Sequence, residues 1–173
     1  KTQASLLEAM EERQVTVDGV TYPLKKPFMV IATQNPIDYL GTYNLPEAQL
    51  DRFMIKISIG YPAISDEKVM ADRFLENKLS KKLEPAADSD AVIEMQKEVE
   101  QVKISQDLVT YVTRLIHETR KDANITLGAS PRATLALLRA SQAHAYIQGR
   151  DYCIPDDILK LIVPVIADRT ILS

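Results

Sequence analysis

The tripeptide Ser130-Pro131-Arg132 sets a guanidinium in the first turn of a helix, because serine is a favoured N-cap and proline is favoured at the first helical position. A cation there opposes the helix dipole by about 0.3–1 kcal/mol, and an anion nearby reverses the sign. A guanidinium beside exposed helix N–H groups is phosphate-binding chemistry. The other polar residues that stand out have two readings each. Asn35 closes an apolar run at Gln34-Asn35-Pro36 and is either a turn former or a side-chain amide at the exit of a buried strand. Arg52 follows Asp51 and reads by itself as half of a surface ion pair. Glu47, after Pro46, is ordinary helix-start chemistry, since the dipole favours a carboxylate there. His117 and His144 lack a second ligand at metal spacing, so no metal is expected on them.

These residues need elements to hold them. Leu6, Leu7 and Met10 recur at helical spacing among polar residues, which predicts a helix from near the start to about Gln14. Val15 to Tyr22 forms two β-branched arms around Asp18-Gly19, the pair that a two-residue hairpin turn requires. Phe28 to Thr33 is apolar without alternation, as expected of a strand covered on both faces. A short helix is expected around Glu47 to Arg52, then a second strand from Phe53 to Ile59, broken by Gly60-Tyr61-Pro62. Beyond Ala63 helical periods take over. Met70 and Phe74 mark one stripe, and Ala91, Met95, Val99 and Val102 a second. Leu108, Val112, Leu115, Ile116 and Thr119 mark a third, with Ser105 as its N-cap. The helix opened by Ser130-Pro131 is expected to stop at Gly149, and a last one to begin near Pro155 and to break or kink at Pro164.

The chain has 173 residues, enough for one ordinary domain or part of one plus a smaller second. With 46% hydrophobic and 26% charged residues it has the balance of a globular protein, and no apolar run is long enough to cross a bilayer. A formal net charge of −3 gives no general basic field for nucleic acid. The single cysteine, Cys153, has no partner for a disulfide or a shared metal, which points to a reducing compartment, the cytoplasm. Lys1 opens inside an amphipathic segment with neither a signal-peptide core nor a basic leader, so the expectation is a chain that begins mid-protein.

Three segments in order, Ala32-Thr33-Gln34-Asn35-Pro36, Leu45 to Phe53 (LPEAQLDRF) and Gly128-Ala129-Ser130-Pro131-Arg132-Ala133, resemble the MoxR family of AAA+ ATPases. The likeness extends from Leu7-Glu8-Ala9-Met10-Glu11-Glu12-Arg13-Gln14-Val15 to Gly149-Arg150-Asp151-Tyr152, essentially the whole chain. It implies a mixed α/β fold: the C-terminal half of an αβα nucleotide-binding core (helix, β-hairpin, core strands) over residues 1–62, then an all-helical lid domain over residues 63–173. It further implies that Asn35 is the sensor-1 residue, Arg52 the arginine finger, Arg132 the sensor-2 arginine and Glu47 a contact across a subunit interface. Members of this family form rings, hexameric by the family's pattern, and use ATP with Mg²⁺ to remodel or mature protein clients. Some work with a partner carrying a metal-dependent adhesion domain.

No Gly-x-x-x-x-Gly-Lys-Ser/Thr segment occurs and no strand ending in Asp-Glu precedes Lys1, so the phosphate loop and the ligands for Mg²⁺ are not in this chain. The chain alone is therefore expected not to hydrolyse ATP. The strand that would lie between the two core runs is also missing, so the sheet remnant is expected to be rearranged, swapped or assembled. Two other functions remain open: a non-catalytic helical adaptor, and a nucleic-acid-translocating AAA+ motor. The motor ranks lower because the hairpin tip is Asp18-Gly19 rather than lysine or arginine.

Overall fold

A computed structural model describes residues 2–34, 46–76 and 83–173, with the backbone alone described for residues 2–5, 7, 47 and 48. The chain divides into two units, Lys1–Lys56 with Ser89–Ser173, and Ile57–Asp88.

In the larger unit, helix α1 (Thr2–Glu12) leads into strands β1 (Gln14–Val17) and β2 (Val20–Pro23), paired antiparallel from Gln14↔Pro23 to Val17↔Val20. Asp18 and Gly19 both carry positive φ, +50° and +79°, the type I′ geometry whose twist matches the strands. Leu24 N–H donates to the Arg13 carbonyl at 2.8 Å and ties the hairpin back to the end of α1. After the short α2 (Glu47–Leu50), the rest of this unit is built on α4 (Ser89–Gln101), α5 (Gln106–Glu118), α6 (Pro131–Ile147) and α7 (Pro155–Ile166). Ser105 caps α5 by accepting the Leu108 N–H at 3.3 Å, as its sequence position predicts. Val112 and Ile116 of α5, Leu137 and Ala145 of α6, and Ile158 and Val165 of α7 are buried together. Burying a side chain of this class contributes roughly 1.5–3 kcal/mol, so these helices carry the unit's stability.

The turn from α6 to α7 is set by one carboxylate. Asp157, fully buried, accepts Arg150 Nη1–H at 2.8 Å, Arg150 Nη2–H at 2.5 Å and the Ile154 N–H at 2.8 Å, with His144 Nδ1 at 2.6 Å. Burial by itself would raise the Asp157 pKa. The Arg150 hydrogen bonds, the Ile154 amide and His144 more than offset it and hold the carboxyl well below the usual carboxylate range. Next to it, burial pushes the Cys153 thiol up to about 11, so it is not a thiolate nucleophile at neutral pH.

Gly128 lies where the chain enters α6. A Cβ there would meet Arg120 Cα at 2.6 Å and the Thr119 carbonyl at 2.7 Å, closer than backbone atoms tolerate. The loop is pinned by Arg120 Nε–H to the Ala129 carbonyl at 2.8 Å and Ala129 N–H to Thr119 Oγ1 at 3.0 Å. Gly128→Ala is expected to lower stability by about 1–3 kcal/mol, read as a lower urea midpoint at unchanged slope. A variant as stable as the parent would show that the loop gives way freely.

The mixed α/β class holds, with three differences from the sequence expectation. Neither Phe28 to Thr33 nor Phe53 to Ile59 joins a ladder among the described residues. Met29, Ile31, Ile57 and Ile59 are strongly exposed rather than covered, because an apolar run becomes a buried strand only when neighbours supply both edges. The expected all-helical region also contains strands, β3 (Ile125–Leu127) paired antiparallel with β4 (Ile171–Leu172), which fasten the last residues to the loop after α5. Finally, α7 runs through Pro164 to Ile166 rather than breaking there.

The smaller unit holds α3 (Ile64–Leu75), with Asp66 and Glu67 in its first turn and Arg73 in its last, the order that the helix dipole favours. No residue of α3 is buried, and Met70 and Phe74, the predicted stripe, are exposed.

Candidate functional site

Helix α6 starts at Pro131 as the sequence requires, with Ser130 Oγ accepting the Arg132 N–H at 3.1 Å. The same hydroxyl donates to Asp51 Oδ2 at 2.8 Å, which ties the start of α6 to the turn that follows α2. Asp51 Oδ1 in turn accepts Arg169 Nε–H at 3.0 Å.

Arg169 is buried, and all five of its N–H donors are used. Besides Asp51 Oδ1 they reach the Asp51 carbonyl at 3.2 Å, the Met54 carbonyl at 3.2 Å, and the carbonyls of Phe53 and Val165. Burial lowers its pKa and the charge of Asp51 only partly offsets this, as expected of a structural ion pair. Lys56 adds a second tie, its N–H donating to the Pro164 carbonyl at 2.8 Å and its ammonium pairing with Asp168. The segment that carries Arg52 is thus fixed to the end of α7.

Arg52 and Arg132, 80 positions apart in sequence (132 − 52), meet on one carboxylate. Glu11, in the last turn of α1, pairs through Oε2 with Arg52 Nη1 and through Oε1 with Arg132 Nη2 at 2.5 Å. The buried Nε of Arg52 has no acceptor among the described residues. Together with Asp51, Met54 and Arg169 these side chains border a cleft of about 190 Å³. Three arginines face two acids, and Asp51 and Arg169 neutralise one another, which leaves two guanidiniums against Glu11. Among the described residues this is an excess of one positive charge, which favours an anion. A larger cleft of about 410 Å³ beside α5 and α7 is apolar, and its charged members, Glu118 and Asp122, are acids. That lining disfavours a phosphate.

A family model described as "ATPase family associated with various cellular activities (AAA)" matches residues 1–55, and one described as "AAA lid domain" matches residues 117–173. Chaperone MoxR1 of Mycobacterium tuberculosis (strain ATCC 25618 / H37Rv) is 38% identical over 183 aligned residues, covering 100% of this chain and 48% of MoxR1. The chain belongs to the MoxR-type AAA+ proteins.

Two further likenesses cover nearly all of the chain. Protein YeaC of Bacillus subtilis (strain 168) is 46% identical over 161 residues, 93% of this chain and 50% of YeaC. A crystal structure of a candidate ATPase from Cytophaga hutchinsonii ATCC 33406 superposes with a TM-score of 0.90 at 38% identity, covering 99% of this chain and 55% of that one. The chain therefore spans about half the length of these relatives.

Of the four residues singled out in the sequence, Arg52 and Arg132 come together. Glu47 opens α2, but its side chain lies outside the described residues, as does Asn35 altogether. Sequence reasoning missed Glu11 and Arg169. Glu11 is one of several polar residues on an amphipathic helix, and Arg169 follows an apolar run, so neither carries a local signal.

Proposed function

We propose that the full-length protein containing this chain is an ATP-hydrolysing ring, hexameric by the family's pattern, that remodels or matures a protein client in the cytoplasm. The observation that carries this reading is the convergence of Arg52 and Arg132 at a cleft with excess positive charge. Residues 1–62 are the second half of its nucleotide-binding core and residues 63–173 its lid. Arg132 is the sensor-2 arginine, binding a phosphate of the nucleotide with help from the first turn of α6. Arg52 is the arginine finger, stabilising charge on the transferred phosphoryl group where two subunits meet. Asn35 orients the attacking water as sensor 1, and Glu47 contacts the neighbouring subunit. The phosphate loop and the Mg²⁺ ligands come from the part of the protein that precedes this chain, and the chain alone does not turn over ATP. A partner with a metal-dependent adhesion domain fits this class of protein. No helix among the described residues is long and apolar enough to cross a membrane.

The test is Arg132→Ala in the full-length protein. Loss of a charged hydrogen-bond partner costs about 1.5–3 kcal/mol, so ATP affinity should fall about ten-fold or more in equilibrium titration. Wild-type affinity and turnover would remove Arg132 from the site. Salt-sensitive DNA binding by the full-length protein would favour the motor reading instead, although Asp18 at the hairpin tip weighs against it.

A further inference from the structure

Glu11 stands where an anion would bind. Its two carboxylate oxygens are divided between Arg52 and Arg132, so it touches both guanidiniums at once. The hold is partial. A guanidinium offers five N–H donors, and Glu11 accepts one hydrogen bond from Arg132, through Nη2. On Arg52 the buried Nε is left without an acceptor among the described residues. Without Glu11 the two cations would border the cleft with no counter-charge for them among its described lining residues, since Asp51 is engaged by Arg169 and Ser130.

We propose that Glu11 is a tethered counter-anion that holds Arg52 and Arg132 in the absence of nucleotide and gives them up to a phosphoryl group. This rests on the reading of Arg52 and Arg132 as phosphate-binding residues and adds the regulation of that site. A phosphate carries more charge and more acceptor oxygens than one carboxylate, so it can fill donors that Glu11 leaves open. The cleft of about 190 Å³ is several times the roughly 30 Å³ share of one water molecule, which leaves room for a phosphoryl group. The exchange also has a cost: while Glu11 occupies the arginines, the apparent nucleotide affinity is reduced by the fraction of molecules in which they are free. Glu11 thereby keeps the arginines from capturing other anions and couples their release to the end of α1.

The experiment is ATP binding to the full-length protein carrying Glu11→Gln, which keeps the shape and removes the charge. The competing carboxylate is worth about as much as one ion pair at a half-exposed site, so the dissociation constant for ATP should fall about five-fold. That gain should shrink in an Arg132→Ala background, where one of the contested guanidiniums is gone. A role confined to folding predicts equal or weaker binding. Unchanged or weaker binding by Glu11→Gln overturns the proposal. Should that variant fold poorly, Glu11→Asp, too short to span both arginines, must show the same tightening or the proposal is equally overturned. If Arg52→Ala and Arg132→Ala both leave ATP binding and turnover at the parent level, the phosphate reading itself has failed. If they are impaired and Glu11→Gln binds no tighter, only the counter-anion role has failed.

Discussion

Arg52→Ala in the full-length protein is expected to lower kcat by about 10³-fold or more while leaving most of the ATP affinity in place, because an arginine finger acts on charge that builds only in the transition state. The side chain leaves a turn anchored on both sides, by Asp51 to Ser130 and by the Asp51, Phe53 and Met54 carbonyls to Arg169, so its approach is set before any ligand arrives. Arg52→Lys is the informative companion. It keeps the charge but loses the planar fork, and should recover only a small part of the lost rate. Single-turnover hydrolysis alongside equilibrium nucleotide binding separates the two quantities. Strong loss of binding with normal turnover per bound ATP would contradict the assignment.

The largest stability effect is expected at Asp157. Replacing it by alanine strips Arg150, His144 and the Ile154 amide of one shared acceptor; because Arg150 stays partly exposed, the cost is expected at about 3 kcal/mol, the low end for breaking a buried pair, against a typical total of about 5–15. Urea unfolding should show this as a large drop in midpoint. Asp157→Asn should lose less, since it retains the shape and some of the hydrogen bonds. The pH dependence has a definite sign. The folded-state pKa of Asp157 is depressed below the ordinary value of about 3.9, so its contribution is fully present above that value. Acidification removes it progressively as the pH falls through the lowered folded value. The Asn variant should lack this part of the acid destabilisation. A variant within about 0.5 kcal/mol of the parent, the range of ordinary surface substitutions, would mean that the buried carboxylate is dispensable.

What could be read from sequence was local. Asp18-Gly19 specifies its own turn, Ser105 and Ser130 specify their own caps, and Pro131 marks the start of α6, because each depends on backbone geometry within three residues. The third helical stripe found its core for a similar reason, since Leu108, Val112 and Ile116 face inward wherever the helix packs. The resemblance supplied Arg52 and Arg132 as a pair of interest, but not their shared carboxylate. Glu11 lies 121 positions before Arg132, and an ion pair of that span leaves no periodicity to detect. Arg169 was hidden in the same way. The runs Phe28 to Thr33 and Phe53 to Ile59 have the composition of central strands but join no ladder among the described residues, because a ladder requires neighbours that composition cannot provide and the strand expected between them is not in this chain.

The grip of Arg169 has a consequence for how this part of the molecule can vary. Three of its five bonds within the turn and α7 go to the carbonyls of Asp51, Phe53 and Met54, groups that every amino acid possesses. Positions 53 and 54 can therefore change identity without loosening the anchor, whereas residue 169 has no substitute with the same reach and number of donors. Tolerance along the turn and intolerance at a single distant arginine are two sides of one interaction.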